Sequence, residues 1–113
     1  MVKMIEASCK PDALTRTIPA GQAWLVIVKA SATNNLDTNR AAYWKAALVY
    51  RPSGGSATRQ GSVASVIPDI ESDTNWGGVN ITISGNDVLA TVQGKNGVNI
   101  NWRVSWEILP NTE

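Results

Sequence analysis

Hydrophobic and polar positions alternate most strictly between Val98 and Ile108. Val98, Ile100, Trp102, Val104, Trp106 and Ile108 are apolar, and Asn99, Asn101, Arg103, Ser105 and Glu107 between them are polar. A period of two is that of a strand with one face in a core and the other in water or on a polar partner. A helix would scatter the same six apolar side chains around its circumference. Ile100, Trp102, Val104 and Trp106 are therefore read as core. Each tryptophan can bury roughly 150–250 Å², so the fold could hardly spare this strand.

Upstream, Val79, Ile81 and Ile83 alternate with Asn80, Thr82 and Ser84, and Gly85-Asn86 forms a two-residue turn into Asp87–Gln93. Gly94 to Gly97 turns that strand towards Val98, so residues 79–109 are expected to form a three-stranded meander. Nearer the start, Leu14–Ile18 reads as a short strand and Pro19-Ala20-Gly21 as a turn. Gln22–Ala32 is the next strand. Its centre, Ala23 to Val28, is apolar on both faces, which implies burial on both sides or cover by a neighbouring subunit, and places Trp24 in a core or interface.

Residues 33–40 are Asn-rich and read as a loop. Ala41–Arg51 has the alanine content of a helix, but its aromatic and β-branched residues and the missing N-cap box favour a strand. Its even face, with Trp44 between Ala42 and Ala46, is taken as the core face. Pro52–Gly55 is a hairpin loop, residues 56–67 are the return strand with Gly61 as a bulge or a point of close approach, and residues 68–78 are an acidic connection. Residues 1–13 have no clear period and are expected to be an arm or tail, with residues 14–113 the folded domain. Seven or eight short strands in one domain predict an all-β, antiparallel, jelly-roll-like β-sandwich.

Composition agrees with this pattern. The 113 residues suit one domain; 43% are hydrophobic and 17% charged, enough apolar content for a core and too little charge for a disordered chain. A net charge of +1 without basic runs gives no electrostatic reason to expect nucleic acid or an acidic membrane as partner. No apolar stretch approaches the ~20 residues of a membrane helix. Met1–Lys10 lacks the ~7–15-residue apolar core of a secretory signal. Cys9 stands alone, so no intrachain disulfide forms.

Candidate chemistry is sparse. The chain has no histidine, which removes Ser-His-Asp and Cys-His catalysis and histidine-bearing metal sites. Gly54-Gly55 and Gly77-Gly78 lack the lysine and Ser/Thr of a phosphate-binding loop. Asp69, Glu71, Asp73 and Asn75 have oxygen ligands at alternate positions, but the helix–loop–helix calcium loop would need Gly where Thr74 stands and Glu where Asn80 stands. No spacing among Asp37, Asp69, Asp73 and Glu107 singles out a pair for glycoside hydrolysis. No cofactor, metal or enzymatic activity is expected. Trp76 lies in a polar loop before Gly77-Gly78 and either caps the core or anchors a protein or sugar contact.

Thr91 to Leu109, T-V-Q-G-K-N-G-V-N-I-N-W-R-V-S-W-E-I-L, resembles the closing strands of small β-sandwich modules in tailed-bacteriophage virion proteins. In those, a valine-rich strand and a short glycine-containing turn lead into an Ile-Asn-Trp strand, here Val88–Val92, Gly94–Gly97 and Ile100-Asn101-Trp102. Thr15 to Gly21 looks like their entry turn. The resemblance covers about a fifth of the chain and brings no catalytic residue with it. It implies a virion protein: a capsid decoration (cement) protein on the major capsid protein, often trimeric, assembled in the host bacterial cytoplasm. The alternative is a receptor- or glycan-binding module of a tail fibre. The expected contact elements are residues 1–13 with Lys3 and Ile5, the 33–40 loop with Asn34 and Asn35, and the 68–78 loop with Asp73, Asn75 and Trp76.

Overall fold

The computed structural model describes residues 2–7, 12–34, 38–73, 76–94, 98 and 100–112, and for 2–7, 12 and 13 the backbone alone. The described residues form nine strands and no helix: β1 Val2–Ala7, β2 Asp12–Thr17, β3 Gln22–Asn34, β4 Arg40–Arg51, β5 Thr58–Ser65, β6 Ile70–Glu71, β7 Gly78–Ser84, β8 Asp87–Gln93 and β9 Ile100–Thr112. They make two antiparallel sheets. The larger runs β1-β9-β3-β4-β5, with the two-residue β6 also beside β4; the smaller runs β2-β8-β7. This is the expected all-β antiparallel sandwich. It is jelly-roll-like at the chain ends, where β1 lies against β9 and β2 against β8, whereas β3, β4 and β5 stay together in one sheet.

Two expectations about elements are corrected. Val2–Ala7 is an edge strand of the larger sheet, paired with β9 from Val2↔Ser105 to Ala7↔Ile100, rather than an arm outside the domain. Residues 79–109 do not form a meander. β7 and β8 form the expected hairpin, but β9 crosses to the larger sheet and pairs with β3 over the whole length of both strands, from Gln22↔Thr112 to Asn34↔Ile100. A seven-residue β8 could offer a thirteen-residue β9 only half a ladder. β3 satisfies the backbone of β9 along its full length.

This pairing fixes which side chains face inward, because residues opposite one another share a face. Even positions of β3 and β9 meet: Val28 lies opposite Trp106, Ala30 opposite Val104 and Ala32 opposite Trp102. Even positions of β3 meet odd positions of β4, so Trp24 lies opposite Val49, Val26 opposite Ala47 and Ala30 opposite Tyr43. All of these are buried, and Val79, Ile81, Val88, Ala90 and Val92 of the smaller sheet pack against them. Alanines opposite Trp102 and Tyr43 leave room for the rings, the large-against-small interdigitation of close-packed interiors.

Trp44 is therefore not core. It sits on the other parity of β4, half-buried on the outward face, with Lys29 Nζ 4.6 Å from its ring centroid. Lys45 has core parity opposite Val28 yet escapes: its Nζ reaches the sheet edge and pairs with Asp69 at 2.7 Å. The β4–β5 ladder slips where Ala46 faces Ala64 and Leu48 faces Gln60, so Ala47 alone opposes Gly61, Ser62 and Val63. Gly61, at φ 74°, supplies the left-handed residue of this bulge.

Edge strand β7 is guarded at its middle. The Ile81 N–H donates to Oδ1 of Asn80 at 2.9 Å, and the Ile81 carbonyl accepts from Arg59 Nη1 of β5 at 2.7 Å. With both groups used, that point of the edge offers nothing to an added strand.

Trp102 is wholly buried, and its indole N–H has no hydrogen-bond partner among the described residues, so the ring acts through packing alone. Trp102→Ala should lower the unfolding free energy by about 3–5 kcal/mol. The loss would be read as a lower denaturant midpoint at unchanged slope. A loss below about 1 kcal/mol would contradict the ring's place at the centre of the core.

Candidate functional site

Of the loop residues singled out from the sequence, Trp76 and Asn34 are engaged within the fold. Trp76 is only 5% exposed. Its ring meets Trp102 at 6.3 Å and 50°, and Tyr43 stacks on Trp102 at 5.9 Å and 28°, so three aromatics close one end of the sandwich. The turn that delivers Trp76 is tied by its amide to the Asp73 carbonyl at 3.4 Å. Gly78 follows at φ 86°, and a Cβ there would lie 3.1 Å from Tyr43 Cε1, so the backbone approaches the ring where only glycine fits. Of the two alternatives for Trp76, this geometry is the cap.

Asn34 is buried, and its side chain is spent on its own loop. Oδ1 accepts from the Thr38 amide at 2.9 Å and the Asn39 amide at 3.1 Å, and Nδ2 donates to Thr38 Oγ1 at 2.8 Å. An Asn bridging loop amides in this way organises the turn and has little left for a partner. Asp73 is half-buried. Asn35 and Asn75 lie outside the described residues, as do the side chains of Lys3 and Ile5, whose backbones pair with Val104 and Trp102. Trp24, Ile100, Trp102 and Val104 are buried, and Trp106 lies at the core margin, where it lines a hollow of about 420 Å³ with Thr15, Arg16 and Ile108.

Glu71 and Asp69 are likewise engaged. Tyr43 Oη donates to Glu71 Oε2 at 2.5 Å, and Asp69 pairs with Lys45. Among the described residues, no three Cys, Asp or Glu side chains converge as a cation site. Burial, then the hydrogen bond to Glu71 and the carboxylate charges of Glu71 and Asp69, push the Tyr43 phenol well above its ordinary value near 10. Such a phenol stays protonated and works as a fixed donor.

The remaining candidate is the outward face of the larger sheet. Outward faces of antiparallel sheets are usually polar. Here Leu25 lies opposite Leu109 on one side and Leu48 on the other, and the three are 64%, 40% and 42% exposed in the order Leu109, Leu25, Leu48. Ala23, Pro110 and Asn111 join them around a shallow hollow of about 410 Å³. Further along the same strands the face turns basic. Lys29 lies opposite Ser105 and Trp44, and Ser31 opposite Arg103 and Ala42. With Ile67 these residues line a second depression of about 360 Å³. The sequence carried the signal as the two-sided apolar run Ala23–Val28. The ladder shows that its second face is half-exposed rather than buried.

The fold defines the chain as an all-β antiparallel sandwich. No protein-family model matches it, and no curated protein matches it. Among solved structures, the crystal structure of the Acinetobacter baumannii phage AM24 tailspike protein is similar at a TM-score of 0.36 and 7% identity, over 98% of this chain. The chain spans 28% of the length of that protein. At these values the likeness carries no inference about this chain.

Tyr43 makes the fold sensitive to alkali. Its folded pKa lies above its unfolded value, so its contribution is fully present below pH ~10 and is lost as the unfolded chain ionises above it. Unfolding followed from pH 8 to 11 should show a fall in stability near the top of that range. Tyr43→Phe should flatten it; an unchanged decline in the variant would show that Tyr43 is not its source.

Proposed function

We propose that the chain is a non-enzymatic structural component of a tailed-bacteriophage particle, seated on the capsid exterior and acting through protein–protein contact with the major capsid protein. The resemblance of Thr91–Leu109 and Thr15–Gly21 to virion β-sandwich modules supports the class. The observation that carries the mechanism is the row Leu109–Leu25–Leu48, three neighbouring leucines exposed across three strands. A contiguous apolar patch on a small soluble domain marks a contact surface. Its partner is either the capsid or another copy of the chain, and the resemblance to virion modules, many of which trimerise, favours a trimer. The non-enzymatic reading is supported by the lack of histidine and by the pairing of Glu71 with Tyr43 and Asp69 with Lys45. The receptor-binding alternative loses its anchor in Trp76, which is buried.

The purified protein should self-associate at micromolar concentration by light scattering. It should also bind purified phage heads saturably and raise their disruption temperature. The double variant Leu25→Lys, Leu109→Lys should lose both properties while keeping the far-UV spectrum of the folded protein. A monomeric protein that ignores heads, or one that binds host cells or isolated tails instead, would overturn the capsid seat.

A further inference from the structure

The residues on the two sides of the leucine row match one another across it. Leu109, Leu25 and Leu48 lie side by side on β9, β3 and β4. Two positions along the strands in one direction stand Asn111, Ala23 and Tyr50 in the same lateral order. Two positions in the other direction stand Glu107, Ile27 and Ala46. All six share the outward face, because each is two residues from its leucine. On β3 the flanking pair is small and large, Ala23 and Ile27. On β4 it is large and small, Tyr50 and Ala46. On β9 it is an amide and a carboxylate, Asn111 and Glu107. The shallow hollow beside the row opens on the Ala23 side, where the small side chain leaves room.

We infer that this face docks on the same face of a second copy, about a two-fold axis that runs along the leucine row. The inference deepens the reading of the row as a contact surface and rests on it. Rotation about that axis keeps each strand over its own counterpart and exchanges the two sides of the row. Leucine meets leucine, and Ile27 of one copy enters the hollow over Ala23 of the other. Tyr50 covers Ala46, and the Asn111 amide donates to the Glu107 carboxylate. Large against small is how packed sheet faces interdigitate. Residue i meeting j while j meets i defines an isologous contact. A foreign partner requires no match between the two sides of the row, whereas a second copy does. Other axes fit worse. An axis along β3 sets Lys29 against Lys29 of the second copy. An axis between β3 and β9 carries Leu48 to the place beside β9 where β1 has already ended at Ser105. A ring of three would need two different patches to meet head to tail, and this row is complementary to itself.

The three rows span about 13 Å along the strands, and β9 to β4 about 10 Å across them. That is a small interface, of the weak and reversible kind. Sedimentation of the full chain over a rising concentration series should pass from one copy to two and stop there. The Leu25→Lys, Leu109→Lys variant should stay single throughout. The axis is tested with a short bismaleimide on cysteine variants in which Cys9→Ser removes the native thiol. Leu25→Cys lies on the axis and should crosslink to itself. Ala23→Cys should not, because its two copies stand four strand residues, about 13 Å, apart along the interface. A mixture of Ala23→Cys and Ile27→Cys should crosslink. A single copy at every concentration, a species of three copies, or Ala23→Cys joining itself as readily as it joins Ile27→Cys would overturn the two-fold pair. Binding to phage heads is scored separately. Heads bound by a protein that never pairs would sink this inference alone, and a pair that ignores heads would sink the capsid seat alone.

Discussion

The antiparallel ladder between β3 and β9 is the constraint on which the other features depend. It runs the full length of both strands and fixes two faces at once. Inside, it sets Ala32 against Trp102 and Val28 against Trp106. Outside, it sets Leu25 against Leu109, Lys29 against Ser105 and Ser31 against Arg103. A slip of one residue would carry Trp102 and Val104 out to solvent and Arg103 and Ser105 into the core. The core thus holds the register, and the register in turn assembles the outward face. The leucine row and the basic depression are made of residues distant in sequence, and their proximity follows from tryptophans packing on the opposite side.

The smaller sheet and the loops complete what this ladder starts. The inward residues Val88, Ala90 and Val92 of β8 cover the larger sheet, and the aromatic group Tyr43–Trp102–Trp76 closes one end. Glu71 holds the Tyr43 hydroxyl there, so the acidic connection serves the fold as a clasp. Arg59 and Asn80 use up the free backbone groups at Ile81 on the exposed edge of the smaller sheet. Polar side chains in these loops mostly satisfy the chain's own backbone and side chains, as buried polar groups must. They leave the sheet face, rather than the loops, as the surface with unexplained chemistry.

Much of this was legible in the sequence where one face of a strand was plainly polar. The alternation of Val98–Ile108 identified Ile100, Trp102 and Val104 as core because Asn101, Arg103 and Ser105 left no other choice. Around Trp44 that contrast fails. Tyr43 and Trp44 are both large, and alanines flank them on both parities, so only the ladder with β3 decides that Tyr43 points in and Trp44 out. The partner of β9 was equally hidden, because periodicity identifies a strand and says nothing of its neighbour. Val2–Ala7 joins the sheet through backbone pairing, which a mixed side-chain pattern does not reveal. The sequence left Trp76 as either a cap or an anchor because its burial depends on Tyr43 and Trp102, far away in the chain. The one local hint was Gly78, the residue that lets the backbone pass close to Tyr43.

The outward apolar row is not a by-product of strand formation. Val and Ile suit strands through their branched Cβ, so Ile27 on the same face needs no further reason. Leucine has no branch at Cβ, and at Leu25, Leu48 and Leu109 a threonine would serve the strand at least as well and leave less apolar surface in water. Beside the row, β1 extends only to Ser105, and beyond it β9 has β3 alone among the described residues. That stretch contains Pro110, which lacks an N–H and makes a poor template for another strand. Edge pairing is discouraged at the place where the apolar face is most exposed. A partner at this end would therefore meet side chains on the flat of the sheet, where the three leucines stand in line.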